Sequence, residues 1–214
     1  MRIERWTGPP VDTHTYLVAD EASGEAWVID APQATAAAVL ARVAELGLRL
    51  TRAVLTHGHF DHVLDAGVYA EAGIPIAAHP REQQVLRYPQ TLLMGMTEAM
   101  PQITIDEELR EGNRLRLGET EWLVMHLPGH SPGHVALYCA EQDTLLGGDM
   151  LFRGGYGRVD FPGCDAGDMA ESLLRLLELP DATRVYPGHG PETTLGAERI
   201  WLEPLLSDPA GVAL

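Results

Sequence analysis

The chain has 214 residues, 45% of them hydrophobic, and 31 acidic against 15 basic side chains give a formal net charge of −16. This balance argues against nucleic acid and anionic membranes as partners, because both are held by clustered Lys and Arg. Two cysteines are too few for a disulfide scaffold, and neither a signal peptide nor a membrane span of about 18 apolar residues is visible, so we expect a cytoplasmic protein.

The first half of the chain alternates strand and helix patterns. Short β-branched or aromatic runs predict strands, and an Ala-rich run with Leu and Val at helical spacing predicts a helix that ends at Gly47. In chain order we expect a hairpin of strands at 15–19 and 26–29 and then a helix at 35–46. A strand at 52–56, a helix at 63–71 and a strand at 74–78 follow. Residues 80–108 follow a looser pattern, which predicts a short helix and an apolar loop that acts as a lid.

The second half repeats this style with strands separated by Gly, Pro and acidic turns. Strands are predicted at 114–117, 121–127, 134–139, 144–146 and 185–186, and helices at 169–179 and 197–206. Two groups of strands, each followed by helices, predict an α/β fold in which two packed sheets are covered by helices, a four-layer αββα sandwich. No Pro or Ser/Gly tract marks a linker, so residues 1–214 are predicted to form one domain.

Nine histidines are present, and their clustering indicates a metal site. His57, His59, Asp61 and His62 follow the strand predicted at 52–56. Alternate residues of an extended segment point the same way, so His57 and His59 can present both imidazoles to one ion. Asp61 and His62, at the turn into the next helix, can face a second position beside it.

Three further ligand-type residues, His130, Asp149 and His189, stand on Gly-containing loops after other strand-like runs. Loops at strand ends share one rim of a sheet and can converge. Seven ligands suit two ions, so we predict one site from three histidines and a second site from Asp61 with two histidines, with Asp149 between them. The first site takes His57, His59 and His130, and the second takes Asp61, His62 and His189.

Such a centre is predicted to be catalytic, because structural zinc prefers closed Cys-rich sites and no cysteine falls in these motifs. Bound divalent ions lower the pKa of water from ~15.7 towards about 7, which supplies a nucleophile at neutral pH. Asp61 and Asp149 are the predicted catalytic carboxylates. Zinc is the predicted metal, with iron and manganese as alternatives that suit the same ligands. His134 is predicted to support the His130 loop by a hydrogen bond, whereas His14, His79 and His126 are expected to be packed or surface residues.

Together these motifs resemble the metallo-β-lactamase superfamily. Within it, residues 148–162 and 187–196 are similar to the short bacterial glyoxalase II-like hydrolases. The resemblance implies the αββα sandwich, the bridging role of Asp149 and hydrolysis of S-lactoylglutathione to lactate and glutathione. The expected partner is therefore a small-molecule thioester, and a monomer is compatible with the sequence.

The same resemblance identifies departures at the substrate side. Full-length glyoxalase II enzymes have a C-terminal helical domain with glutathione contacts, while this chain has room for one closing helix. Where those enzymes place a glutathione-binding Lys and Tyr, this sequence has Arg158 and Asp160. Arg158 can still hold a carboxylate, and Arg158 and Tyr156 are the predicted substrate contacts.

Other activities stay open on this ligand set. Residues 157–161 are also similar to persulfide dioxygenases, which use a single iron, and a lactonase can use the same metals. A true β-lactamase is disfavoured because the second site has no cysteine ligand. A non-catalytic binding module ranks last because none of the seven ligand positions is missing.

Overall fold

The computed structural model describes residues 1–88, 90, 95 and 99–207, and its strands form two six-stranded sheets. The first sheet has its strands in chain order: β1 (Arg2–Gly8), β2 (Thr13–Asp20), β3 (Glu25–Ile29), β4 (Arg49–Val54), β5 (Ile76–Ala78) and β6 (Glu107–Glu108). Strands β1 to β3 pair antiparallel, and β3 to β6 pair parallel.

The second sheet runs in the order β14-β13-β10-β9-β8-β7. Its strands are β7 (Arg114–Leu117), β8 (Thr120–His126), β9 (Val135–Cys139), β10 (Thr144–Gly148), β13 (Arg184–Pro187) and β14 (Thr193–Thr194). A separate two-stranded ribbon consists of β11 (Leu151–Phe152) and β12 (Gly155–Tyr156). Strands β10 and β13 are parallel, so the loops that follow them leave the sheet at the same edge.

The helices cover the outer faces of the sheets. Those whose bounds the described residues give are α1 (Ala36–Glu45), α2 (Phe60–Val63), α3 (Ala66–Glu71), α4 (Glu82–Arg87), α5 (Ala166–Leu176) and α6 (Leu195–Ser207), with a 3-10 turn at Ala140–Gln142. Apolar side chains of α1 and α3 pack against the first sheet, and those of α5 and α6 pack against the second. None of the helices in the described part of the chain is long and apolar enough to cross a membrane.

Alternation along the strands explains the layering. In β2, Tyr16 and Val18 belong to the core between the sheets, while Leu17 and Ala19 belong to the core under the helices. Successive side chains of a strand point to opposite faces, so a strand that is apolar on both faces must be covered on both. Trp27 and Trp122, from opposite sheets, lie 6.3 Å apart between ring centroids in the inner core. The predicted αββα sandwich is confirmed.

Several elements differ from their prediction. The predicted helix at 63–71 is two short helices, because Asp65 leaves the helical path and accepts hydrogen bonds from the backbone N–H groups of Thr35 and Ala36 at the start of α1. Strand β1 was not predicted. Of the predicted lid at 80–108, α4 matches the short helix, while residues 89, 91–94 and 96–98 lie outside the described residues.

Candidate metal centre

The three histidines predicted for the first site lie together at the edge of the two sheets. His57 and His59 follow β4, and His130 lies on the loop between β8 and β9. One ring nitrogen of each falls within 4.8 Å of the others. His59 Nδ1 and His130 Nε2 are 2.8 Å apart, and all three residues are buried. Three imidazole nitrogens at this spacing are a donor set for a divalent ion.

The residues predicted for the second site form an adjacent group. Ligand atoms of Asp61, His62 and His189 lie within 4.8 Å of one another. The Asp61 Oδ2 atom is 3.3 Å from His62 Nε2 and 3.2 Å from His189 Nε2, and it also accepts a 2.7 Å hydrogen bond from the Thr13 hydroxyl. The hydrogen bond from Thr13 holds the Asp61 carboxylate in place, and this role of Thr13 was not predicted from the sequence.

Asp149, which follows β10, lies between the two groups. Its Oδ1 atom is 3.3 Å from His62 Nε2, and its Oδ2 atom is 3.5 Å from His130 Nε2 and 3.4 Å from His189 Nε2. One residue of each group, His57 and His62, joins Asp149 in a third cluster of ligand atoms within 4.8 Å. The carboxylate is therefore placed to contact ions in both groups.

Hydrogen bonds to the second ring nitrogen orient four of the five imidazoles. Such contacts fix both the tautomer and the ring orientation of a metal ligand. In each of these four rings the Nδ1 atom forms a hydrogen bond with an oxygen. His57 Nδ1 is 3.0 Å from the Thr56 hydroxyl, and His62 Nδ1 is 2.8 Å from the Asp30 carboxylate. His130 Nδ1 is 2.8 Å from the Arg158 carbonyl, and His189 Nδ1 is 3.1 Å from the Val11 carbonyl.

Asp30 is a buried carboxylate that sequence reasoning missed. It follows β3 in a left-handed conformation, with φ of 59°, and accepts hydrogen bonds from the Thr56 backbone N–H, from the Thr56 hydroxyl and from His62. It therefore holds the residue before His57 as well as the His62 ring. The available signal was an acidic residue placed directly after an apolar strand.

Glu82, at the start of α4, is a second buried carboxylate that sequence reasoning missed. One oxygen accepts the Gly58 N–H at 2.6 Å, and the other accepts the Gly133 N–H at 2.6 Å and the Ser131 hydroxyl at 2.8 Å. Burial raises the pKa of the carboxyl, while these hydrogen bonds favour the charged form. The side chain ties the loop of His57 and His59 to the loop of His130.

We expect Glu82→Ala to lower the free energy of unfolding by about 3 kcal/mol, because three buried donors would lose their acceptor at about 1–3 kcal/mol each. Denaturant unfolding of the metal-free protein measures this loss. Glu82→Gln is the matched control, since it keeps the volume and one acceptor oxygen, and it should be destabilised by less. Equal stability of Glu82→Ala and wild type would contradict this role.

His134 has a different partner from the predicted one. Its Nε2 atom accepts a 3.1 Å hydrogen bond from the Asp149 backbone N–H. The prediction that His134 supports the His130 loop was therefore wrong for the side chain. His134 directly precedes β9, and the neighbouring strand β10 ends at Gly148, so the His134 ring lies beside the Asp149 backbone.

The two predicted substrate contacts are already engaged with other side chains. The Arg158 guanidinium makes a two-fold ion pair with Asp160, with Nε–Oδ1 of 2.6 Å and Nη2–Oδ2 of 2.8 Å, and lies 3.7 Å above the centre of the Phe161 ring. The Tyr156 ring stacks on Trp201 of α6, with a centroid distance of 6.4 Å.

The histidines expected to be packed or surface residues lie outside the ligand groups. His79 and His126 stack face to face at 4.1 Å. His14 lies next to the His189 loop, where its Nε2 atom is 2.7 Å from the Gly190 carbonyl and its backbone N–H donates to the Gly188 carbonyl. His14 thus supports the second ligand group without joining it.

Three atoms of the cluster show that the residues fit a metal ion. His57 Nε2, His62 Nε2 and Asp149 Oδ1 are fully buried and have no hydrogen-bond partner among the described residues. A buried polar atom without a partner costs free energy, and these three belong to one cluster of ligand atoms. Cations held by the two ligand groups, with Asp149 shared between them, would satisfy all three.

The two groups differ in protonation. Burial and then the neighbouring imidazoles lower the pKa of His57 well below its usual value, and burial lowers the pKa of His59 to about 3. In the second group burial opposes protonation, but the charges of Asp149 and Asp61 raise the pKa of His62 well above its usual value, and hydrogen bonds to the same carboxylates raise that of His189 to about 10. At neutral pH only the second group must release protons to bind metal.

We therefore expect the first group to keep its metal to lower pH than the second. Because a raised pKa keeps His62 and His189 protonated, metal affinity at their group should fall as the pH falls below about 10. Zinc titration calorimetry at pH 8 and pH 6, in buffers of different ionisation enthalpy, should show proton release for the second ion and one bound ion fewer at pH 6. Simultaneous loss of both ions would contradict this order.

The fold and the donor set define a metal-binding enzyme of the hydrolase type built on an αββα sandwich. The chain matches the model of the metallo-beta-lactamase superfamily over residues 8–189, and it belongs to that superfamily. An uncharacterized protein of Aquifex aeolicus is 38% identical over 90% of this chain and 91% of its own length. Hydroxyacylglutathione hydrolase of Cereibacter sphaeroides is 36% identical over 83% of this chain and 62% of that enzyme.

Solved structures agree in fold over nearly the whole chain. BLEG-1 B3 metallo-beta-lactamase superposes with a TM-score of 0.86 at 30% identity, covering 97% of this chain and 100% of that chain. TTHA1623 in a di-iron-bound form superposes with a TM-score of 0.81 at 39% identity, covering 91% of this chain and 96% of that chain. The second relative binds two metal ions.

Proposed function

We propose that this protein is a hydrolase of thioesters that works with two divalent metal ions, of the type that cleaves S-lactoylglutathione. The observation that carries the proposal is the convergence of all seven predicted ligands into two groups joined by Asp149. Support comes from the hydroxyacylglutathione hydrolase that is 36% identical to the chain and from the di-iron form of TTHA1623.

Two divalent ions held by these residues would polarise a substrate carbonyl and would lower the pKa of water, which makes hydroxide available as the nucleophile near neutral pH. The chain's own residues hold the geometry. Thr13 fixes one oxygen of Asp61, whose position at the second group suits it to accept a hydrogen bond from the attacking water. Asp149 contacts both groups and so keeps them at a fixed spacing. The imidazoles of the first group are neutral, so they would not reduce the positive charge of a metal ion bound there.

Cleavage of S-lactoylglutathione by zinc-loaded protein under anaerobic conditions tests the proposal, with the released thiol measured by a chromogenic disulfide. We expect turnover that is independent of oxygen and abolished by a chelator. Absence of hydrolysis of every thioester tried, by protein shown to contain two ions, would reject the proposal. Oxygen uptake with glutathione persulfide by iron-loaded protein would then identify the dioxygenase alternative.

A further inference from the structure

An apolar cavity of about 240 Å³ opens beside the first ligand group. His59 belongs both to the metal cluster and to the cavity lining, so the cavity adjoins the cluster on the side of His59. The rest of the lining is mainly carbon, from Phe60, Val85, Tyr88, Pro132, Phe161 and Pro162. A group in this cavity would therefore lie next to the bond that is cleaved.

Two amide side chains line this cavity, the exposed Gln84 and the buried Gln90, and the buried one is bound to the protein itself. Gln90, the buried amide in the lining, accepts a hydrogen bond from the Phe60 N–H and donates to the carbonyls of Gly58 and Val85. The lining residues that the structure describes include no Asp, Glu, Lys or Arg. The cavity offers contact area to hydrocarbon and no counter-charge to an ion.

The guanidinium of Arg158, beside one wall of the cavity, is already paired with a carboxylate. Arg158 lies over Phe161, which lines the cavity, but its guanidinium is paired with Asp160. Glutathione carries two carboxylates, and a carboxylate that used Arg158 would have to displace Asp160. An uncharged chain has no such competitor.

Building on the thioesterase function, we propose that the preferred substrates carry an uncharged hydrocarbon chain that fills the cavity beside His59. An apolar cavity of about 150 Å³ holds benzene, so 240 Å³ suits a chain of about six to nine carbons. The chain can belong to the acyl group or to the thiol, and the two arrangements present the same chemistry to the cavity.

Two series of neutral thioesters test this with zinc-loaded protein. In one, the acyl chain on N-acetylcysteamine grows from acetyl to octanoyl; in the other, the S-alkyl chain of a thioacetate grows from ethyl to octyl. Full burial of a methylene is worth up to about fourfold. We expect kcat/KM to rise at least tenfold from two to six carbons in one series and to exceed that for S-lactoylglutathione, and the series that shows the rise identifies which group carries the chain.

Variants of Val85 connect the preference to the cavity. Val85→Phe should lower the ratio of kcat/KM for the six-carbon to the two-carbon substrate at least fivefold, and Val85→Ala should move the optimum to a longer chain. Val68→Phe is the matched control, because Val68 is 41% exposed on α3 and should leave the ratio unchanged.

Asp160 provides a separate test of the charge argument. Asp160→Asn frees Arg158 and should raise kcat/KM for S-lactoylglutathione at least threefold, with neutral thioesters within twofold of wild type. An unchanged kcat/KM for S-lactoylglutathione would contradict the competition between Asp160 and a substrate carboxylate.

The failure of this proposal can be separated from that of the thioesterase function. Two results would show that the chain preference is wrong while the thioesterase function stands. In one, S-lactoylglutathione is hydrolysed but kcat/KM varies by less than threefold along both series. In the other, kcat/KM for S-lactoylglutathione is more than tenfold that for the six-carbon substrate. If no thioester is hydrolysed, the function is wrong. The cavity is then tested alone by the thermal shift of zinc-loaded protein with S-hexyl-N-acetylcysteamine thioether, which cannot be hydrolysed, and no shift relative to the S-methyl compound overturns the proposal.

Discussion

Replacing Asp149 with asparagine should lower kcat/KM for thioester hydrolysis by more than about 100-fold and reduce the bound metal from two ions to one or none. Asp149 contacts both ligand groups through its two oxygens. The substitution removes the negative charge and one acceptor oxygen. Loss of a residue that merely supports a metal ligand costs about 10–100-fold, so loss of the shared carboxylate should cost more.

Metal analysis and steady-state kinetics on the same preparation measure this effect, with far-UV circular dichroism as the check on folding. Asp168→Asn is the matched control, because it removes the same charge from an exposed position in the first turn of α5. A variant at Asp149 that kept two ions and turned over within fivefold of wild type would show that this carboxylate does not join the two groups.

Gly188→Ala should weaken metal binding at the second group and lower activity by about 10–100-fold. A methyl group on Gly188 would lie 2.0 Å from Asp149 Oδ1 and 2.7 Å from His62 Cε1. The backbone cannot move aside freely, since its N–H donates to the Gly148 carbonyl and its carbonyl accepts from the His14 N–H. The ligands must therefore shift, and such overpacking also costs about 1–3 kcal/mol of stability.

Zinc titration of Gly188→Ala, compared with Gly155→Ala, measures this effect. Gly155 lies in β12 with open space where a methyl group would stand, so that substitution should leave zinc affinity unchanged. Equal zinc stoichiometry in the two variants would mean that the tight approach at Gly188 has no role in the ligand geometry.

The metal ligands could be predicted from the sequence because they follow strands with clear apolar patterns. Residues 57–62, Asp149 and His189 all come directly after β4, β10 and β13, and strand ends that share an edge bring their loops together. The layered fold followed from the same patterns. The residue type and its position just after a predicted strand were sufficient to predict these residues as metal ligands.

The residues that hold the ligands in place could not be predicted from the sequence, because their role depends on contacts between distant segments. Glu82 is an ordinary acidic residue in the sequence and is buried by loops that follow β4 and β8. Strand β1 has mixed burial at the edge of its sheet, so its polar residues gave no apolar run. For His134, the partner was set by which strand lies beside β9, and strand order is a property of the whole fold.

The distribution of ligands between the two sheets makes the metal centre a reversible cross-link. His57, His59, Asp61 and His62 come from the first sheet, whereas His130, Asp149 and His189 come from the second. Neither half of the chain holds either ligand group complete, since each group draws on both. A bound metal ion would therefore join the two sheets at this edge and, by binding only the folded chain, would add to the stability that the core between the sheets provides.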